Sequence, residues 1–297
     1  MAASRARTVP GGAVRGQALR VRSLKPSATK LTANGVSIGL RSRGAGDPVL
    51  LVHGTGLSSR YWSPLAVQLA EARRAVTVDL LGYGETDAWA GGDTFHFRSD
   101  RDVVIAALEV QGAPCHVIGH SYGGLLSLQA ALARPDLVRS LALYEPVAFG
   151  VLHSAEHEAG LADLARVNAD GLMEDLAGGG GEAWLRRFVG YWNGAGAFDA
   201  MTQPARAALM AVGRKAFLEV RSNLFDRTAH TDYAKISAPT LIVHGAESPV
   251  AAKATVEILA GALPRARLVV LEGAGHLGPF THGDVFAREI LAFLAAA

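Results

Sequence analysis

One serine, Ser121, lies in a local sequence that could make its hydroxyl a nucleophile. Ser121 is the centre of Gly119-His-Ser-Tyr-Gly123, which joins an apolar run at 115–120 to a helix-forming run at 122–134. A strand that turns directly into a helix leaves little room for side chains, so the flanking glycines relieve the crowding. The strained turn then exposes the hydroxyl beside a helix N-terminus. The pattern predicts a serine nucleophile, and the alternative is a glycine-rich turn with a surface serine.

A histidine far along the chain can act as the base that such a serine needs. His276 ends the segment Gly273-Ala-Gly-His276, just after an apolar run at 267–271. Open α/β sheets place their sites at the carboxyl ends of the strands, so we expect the imidazole at the same edge as Ser121. There it can take the serine proton and later give it to a leaving group.

Backbone amides at this edge can stabilise the negative charge that forms on a carbonyl oxygen under attack. His53-Gly-Thr-Gly56 follows another apolar strand and can turn N–H groups toward the serine. The amide of Tyr122, immediately after the serine, is placed to do the same, and each such donor contributes several kcal/mol. We predict Thr55 and Tyr122 as the donors, with a glycine beside Thr55 as the alternative for the first.

The elements that must position these groups follow an alternating pattern of strands and helices. Asn34-Gly35 between two strand-like runs predicts a hairpin near the N-terminus. Continuous apolar runs separated by helical segments are typical of parallel strands buried on both faces. Such runs lie at 49–53, 75–79, 115–120, 139–144, 239–244 and 267–271. The predicted fold is therefore α/β, with a mostly parallel central sheet and helices on both of its faces.

The alternation breaks between residues 147 and 232, where several helical segments follow one another. Trp184, Phe188, Tyr191 and Trp192 recur there at helical spacing. Most such stripes are core contacts, but a helical insertion over the sheet edge would also line a substrate cleft. Trp184, Phe188 and Trp192 are therefore candidate substrate-binding residues.

Three regions are predicted along the chain. They are a basic, disordered leader at 1–28, a core formed by 29–146 and 233–297, and an inserted helical cap at 147–232. The leader lacks the apolar run of a secretory signal, although its composition would also suit an organelle transit peptide. We expect a cytoplasmic protein, with an organelle as the alternative.

Composition and charge exclude several classes of function. Residues 1–46 hold nine Arg and Lys and no acidic residue, which leaves 20 basic against 27 acidic residues in the remainder. An acidic body without a basic stripe argues against nucleic-acid binding. The uncharged run 110–133 is long enough to span a membrane, but it contains Pro114 and the turn at Ser121, so no span is predicted. Cys115 is the single cysteine and is expected to be a buried apolar residue.

The remaining polar residues are given structural roles. We expect His120 to pack beneath the turn at Ser121, and Asp79 to fix the turn that follows its strand. His244 and His282 lack the clustered spacing of a metal site. No glycine motif has the pattern of a phosphate loop. Neither a metal nor a cofactor is therefore predicted.

Four motifs taken together resemble the α/β-hydrolase superfamily over roughly residues 30–295. They are H-G-x-G at 53–56, D-x-x-G-x-G at 79–84, G-x-S-x-G at 119–123 and G-x-G-H at 273–276. The resemblance implies that Ser121 is the nucleophile and His276 the base, and that an acid orients the histidine. The family usually places this acid three residues after the glycine that closes the penultimate strand. Here that glycine is Gly245, and the position holds Ser248.

The acid must therefore come from elsewhere, since a serine cannot stabilise an imidazolium as a carboxylate does. Glu145 ends the strand after the nucleophile helix, a location that some family members use, and it is our first choice. Glu247 is adjacent to the usual position and is the alternative acid. A more distant acid, or none, is the remaining alternative. Glu145-Pro146 also has a structural interpretation, as a capped strand end.

These residues predict a serine hydrolase that works through an acyl-enzyme, acting on carboxylic esters of small to medium apolar substrates. A serine disfavours haloalkane dehalogenases and epoxide hydrolases of the family, which present an aspartate instead. A carbon–carbon bond hydrolase or an acyltransferase could use the same pair of residues. A ligand-binding protein that kept the fold without the chemistry is the alternative from another class. A small molecule is the expected partner, and the sequence leaves the oligomeric state open.

Overall fold

A computed structural model describes residues 7–9 and 26–297 of the chain. Within these residues nine strands form one sheet, in the order β1-β9-β8-β7-β6-β4-β5-β3-β2. The strands are β1 Arg7–Val9, β2 Ser27–Ala33, β3 Val36–Arg43, β4 Pro48–Val52, β5 Arg74–Val78, β6 Cys115–His120, β7 Val138–Tyr144, β8 Thr240–Gly245 and β9 Ala266–Leu271. In the order of the sheet, all neighbouring strands from β1 through β9, β8, β7, β6 and β4 to β5 are parallel. Strand β3 runs antiparallel to both β5 and β2. The mostly parallel sheet is thus confirmed.

The predicted hairpin joins β2 to β3. Asn34 and Gly35 form its two-residue turn, with φ of 52° and 77°. Two successive positive φ values define the turn that matches the twist of paired strands, which is why Asn-Gly is favoured there. The hairpin extends the parallel sheet at one edge.

Helices cover both faces of the sheet. The helices are α1 Ser63–Leu69, α2 Phe97–Glu109, α3 Tyr122–Ala133, α4 Gly150–Ser154, α5 Glu158–Val167, α6 Glu182–Asn193, α7 Ala197–Ala200, α8 Gln203–Ala211, α9 Gly213–Leu224, α10 His230–Tyr233, α11 Val250–Ala262, α12 Gly278–Thr281 and α13 Gly283–Ala296. Alternate residues of β4 belong to the two layers. Leu50 and Val52 are part of the apolar cluster that includes residues of α2, α3 and α11, whereas Val49 and Leu51 are part of the cluster that includes residues of α1 and α13. Burial of β4 on both faces explains its continuous apolar run. The predicted α/β class is confirmed.

The segment 147–232, which we call the insertion, contains α4 to α9 and all of α10 except its last residue, Tyr233, and lies in sequence between β7 and β8. Cys115 is fully buried at the start of β6, as predicted. Part of the predicted leader belongs to the sheet, since β1 pairs with β9 and β2 begins at Ser27. Residues 1–6 and 10–25 of that leader lie outside the described residues. No helix in the described part of the chain is long and apolar enough to cross a membrane.

Candidate active site

The turn at Ser121 is as strained as its sequence predicts. Ser121 has φ of 56° and ψ of −119° between β6 and α3. A Cβ at Gly119 would lie 2.7 Å from the carbonyl oxygen of Gly123, and a Cβ at Gly123 would lie 2.3 Å from that of Val52. Neither position therefore admits a larger residue. The Ser121 amide donates to the carbonyl of Tyr144 at 2.9 Å, which fixes the turn against β7.

The structure brings Ser121, His276 and Glu145 into one hydrogen-bonded chain. Nε2 of His276 lies 3.0 Å from Oγ of Ser121, and Nδ1 lies 2.6 Å from Oε2 of Glu145. His276 comes from the loop after β9, and Glu145 directly follows β7. All three residues are buried, with exposed fractions of 7% for Ser121, 6% for His276 and 1% for Glu145. With Nδ1 protonated, Nε2 is free to accept the serine proton.

The Glu145 carboxylate is held by β8 and the loop that follows it. Oε1 accepts hydrogen bonds from the Gly245 amide at 2.7 Å and from the Ser248 hydroxyl at 2.5 Å. The backbone of Glu145 has φ of 44°, in the left-handed region that few side-chain-bearing residues occupy. Glu247 differs from it, because its side chain is exposed and no hydrogen bond joins it to His276. The carboxylate next to the imidazole is thus that of Glu145.

The loop after β4 is tied to its surroundings by side chains. The Gly56 amide donates to the hydroxyl of Tyr83 at 3.1 Å, so this amide is already occupied. No described residue accepts a hydrogen bond from the Thr55 amide, and Thr55 borders the same cavity as Ser121. Tyr122 is the first residue of α3, where backbone N–H groups lack acceptors within the helix. Neither the Thr55 nor the Tyr122 amide therefore has an acceptor among the described residues.

Two of the polar residues near the site have structural hydrogen bonds. Asp79 accepts from the amides of Ser59 and Glu85 at 2.7 and 3.1 Å, which confirms that it fixes its turn. His120 is 1% exposed, and its Nε2 donates to the backbone carbonyl of His276 at 2.9 Å. Burial, followed by the charge of His276, holds the His120 pKa well below its usual value. His120 is therefore neutral and anchors the His276 loop.

Ser121 opens into an apolar cavity of about 680 Å³ between the sheet edge and the insertion. The insertion supplies most of its apolar lining, namely Phe188, Val189, Trp192, Ala197, Met201, Ala205, Ala208, Leu209 and Val212. No lysine or arginine is among the described residues that line it. The cavity therefore suits an uncharged, apolar group.

The aromatic stripe predicted on α6 divides between two environments. Phe188 and Trp192 line the cavity, whereas Trp184 does not. Trp184 is fully buried within the insertion, stacked on Phe188 with ring centroids 5.1 Å apart and edge-on to Phe217 of α9 at 5.7 Å. Helical spacing identifies the apolar face of α6 but not which part of that face meets α9. Trp184 is thus a packing residue of the insertion.

A buried cluster of charges, not detected in the sequence, lies behind the Gly56 loop. Nζ of Lys215 lies 2.7 Å from Oδ2 of Asp100 and 2.5 Å from Oε1 of Glu219. Oδ2 of Asp100 also accepts the Tyr122 hydroxyl at 3.0 Å. Burial raises the Glu219 pKa to about 7, although the Lys215 ammonium opposes this. The i, i+4 spacing of Lys215 and Glu219 was the only sequence feature that could have indicated part of this cluster.

Comparison with known proteins agrees with this arrangement. The model of the alpha/beta hydrolase family matches residues 49–289. The chain belongs to the α/β-hydrolase family. A solved structure of a hydrolase from Pseudomonas aeruginosa PA01 is similar to this chain with a TM-score of 0.72 and 24% identity, and the match covers 90% of this chain and 98% of that one.

Two curated relatives of this α/β hydrolase carry the names of different hydrolases. A 2-hydroxymuconate semialdehyde hydrolase from Pseudomonas putida is 28% identical over 90% of this chain and 94% of its own length. A pimeloyl-[acyl-carrier protein] methyl ester esterase from Aeromonas salmonicida is 27% identical over 87% of this chain and 100% of its own length. These similarities extend along the whole fold, while their names differ in the substrate.

Proposed function

We propose that this α/β hydrolase is a serine esterase that cleaves carboxylic esters of small to medium apolar acids through an acyl-enzyme. The observation that carries the proposal is the hydrogen-bonded chain from Ser121 through His276 to Glu145, which opens into an apolar cavity. A nucleophile, a base and an orienting acid in this order are the requirements of acyl transfer.

The reaction begins when Oγ of Ser121 attacks the ester carbonyl while Nε2 of His276 takes its proton. The carbonyl oxygen becomes an oxyanion between the amides of Thr55 and Tyr122, and the Glu145 carboxylate stabilises the imidazolium. Collapse of this intermediate breaks the bond to the alcohol, which leaves with the proton from His276. Water, activated by the same imidazole, then hydrolyses the acyl-enzyme and restores the Ser121 hydroxyl.

The cavity supports an ester with an uncharged acyl group. Its volume of about 680 Å³ lies in the range of small-molecule sites, and its lining is mostly apolar. The name of the methyl ester esterase relative agrees with this chemistry.

A carbon–carbon bond hydrolase is the second candidate, because a 2-hydroxymuconate semialdehyde hydrolase is similar over most of the chain. A lysine or arginine in the cavity would favour a substrate that carries a carboxylate, and the described lining has neither. The two arginines of α6 are engaged elsewhere, since Arg186 pairs with Glu182 and Arg187 with Asp170. The ester proposal is therefore preferred over this candidate.

Active-site labelling tests the proposal directly. A fluorophosphonate probe should label the native protein at Ser121, and the Ser121→Ala variant should remain unlabelled. A series of p-nitrophenyl esters from acetate to decanoate should then show turnover with a preference for apolar chains of intermediate length. A folded native protein that resists the probe would indicate a ligand-binding protein without chemistry. Labelling without turnover of any ester would favour the carbon–carbon bond hydrolase.

A further inference from the structure

A tryptophan of the insertion lies face to face with the imidazole of His276. The ring centroids of Trp192 and His276 are 3.7 Å apart, and the ring planes differ by 20°. Trp192 belongs to the last turn of α6, whereas His276 lies on the loop after β9. A residue of the insertion therefore contacts the proposed base directly.

The stacked pair separates two cavities. Both the apolar cavity of about 680 Å³ and a second cavity of about 580 Å³ are bordered by Trp192 and His276. The imidazole would be open to solvent between two such spaces if nothing covered it. Its side chain is nevertheless only 7% exposed. The indole thus covers one face of the imidazole.

The electrostatics of this contact favour the protonated imidazole. The face of an indole ring carries partial negative charge and attracts a cation, more strongly when water is excluded. His276 becomes a cation each time it takes the proton of Ser121 or of the attacking water. The ring of His120, 4.9 Å away, is kept neutral by burial and adds no competing positive charge. Glu145, which follows β7, is the acid in contact with His276. The other ionisable side chains that line the two cavities are Tyr61, Tyr83, Asp163, Arg166, Tyr191 and Glu247.

We propose that Trp192 is a positioning residue that holds the His276 ring in line with Ser121 and stabilises its protonated form through the stacked indole. The insertion then takes part in acyl transfer as well as in substrate binding. This inference rests on the proposed hydrolase function, because it assigns a role to the base of that reaction.

The test compares two replacements of the same side chain. Trp192→Leu keeps an apolar cover but removes the aromatic face, whereas Trp192→Phe keeps a weaker aromatic face. Trp89→Phe is the matched control, because Trp89 is partly exposed, packs edge-on to Phe95 and borders neither cavity. The His276 pKa is measured by NMR titration of histidine-labelled protein, with the resonance assigned from His276→Gln. The pH dependence of kcat/KM provides the second measurement.

The His276 pKa and the acidic limb of kcat/KM should both fall by about 0.5 to 1 pH unit in Trp192→Leu. Trp192→Phe should show a smaller fall, and Trp89→Phe none. An unchanged His276 pKa in Trp192→Leu would overturn the proposal even if kcat/KM decreased, because Trp192 would then only shape the cavity. If the leucine variant does not fold, an unshifted Trp192→Phe has the same consequence.

The titration separates this inference from the proposed function. NMR reads the His276 pKa without turnover, so a protein that resists the fluorophosphonate probe would contradict the esterase while the stacking effect could still be measured. Conversely, an active enzyme in which the His276 pKa does not change when Trp192 is replaced would contradict only the role of the indole.

Discussion

The hydroxyl of Ser248 donates a 2.5 Å hydrogen bond to Oε1 of Glu145, whose other oxygen accepts from His276. Ser248 occupies the position at which α/β hydrolases usually carry the acid. In this chain the carboxylate next to the imidazole follows β7, and the residue at the usual position donates a hydrogen bond to it.

Ser248→Ala should lower kcat about tenfold and leave KM nearly unchanged. The serine hydrogen bond helps to hold the Glu145 carboxylate in its orientation toward His276, and a hydrogen bond to a charged group contributes about 1.5–3 kcal/mol. Steady-state kinetics with a p-nitrophenyl ester measure the effect. Ser248→Thr retains the hydroxyl and should recover most of the activity. Equal kcat values in the alanine variant and the native enzyme would contradict the supporting role.

Glu145→Gln should reduce kcat by roughly 10³ to 10⁴, because the amide cannot stabilise the imidazolium and favours the wrong tautomer. Glu247→Gln is the matched control and should stay within about twofold of the native value, since its side chain is exposed and does not bond to His276. Rate measurements on both variants at saturating substrate decide between the acids. The reverse pattern would assign the role to Glu247.

Moving the acid back to its usual position should restore activity. The kcat of the double variant Glu145→Gln with Ser248→Asp should exceed that of the single Glu145→Gln variant by at least about tenfold. The reason is that the side chain at position 248 already lies within hydrogen-bond distance of the Glu145 carboxylate. Ser248→Asp alone, which places two carboxylates side by side, should lose activity through mutual repulsion. A double variant no faster than Glu145→Gln would show that residue 248 cannot reach His276.

Glu219→Gln should change how stability depends on pH. The folded pKa of Glu219, about 7, lies above its unfolded value. The contribution of Glu219 to the free energy of unfolding is therefore fully present below its unfolded pKa of about 4.3, and it is lost as the pH rises through the folded pKa of about 7. The neutral amide of Gln does not titrate, so the variant does not show this loss. Its free energy of unfolding should therefore increase relative to that of the native protein between pH 5 and 8. Urea denaturation across that range measures the difference in free energy of unfolding between the two proteins. Both contain the same histidines, so the contributions of those residues cancel in the difference. A constant difference would show that Glu219 does not titrate there.

Leu209→Ala should shift the preferred acyl chain to a greater length, because Leu209 lines the cavity near the Gly56 loop. Met210→Ala is a matched control, since Met210 is 40% exposed and does not border the cavity. Values of kcat/KM for a series of p-nitrophenyl esters give the preference. The same profile for both variants would place the acyl group elsewhere.

The sequence by itself determined the features that depend on neighbouring residues. The glycines around Ser121 fix a turn that no larger residue permits, Asn34-Gly35 fixes the hairpin, and continuous apolar runs identify strands buried on both faces. Each of these rests on the backbone conformation or burial of a few consecutive residues, so the strands from β2 to β9 could be predicted from the printed chain, whereas β1 could not.

Only the tertiary structure decided which distant residues meet. Glu145 and Ser248 lie 103 residues apart and come together because β7 and β8 are neighbours in the sheet. Trp192, and not Trp184, reaches the cavity because α9 covers the other end of the α6 stripe. Contacts of this kind depend on strand order and on how helices pack, neither of which is encoded in the spacing of nearby residues.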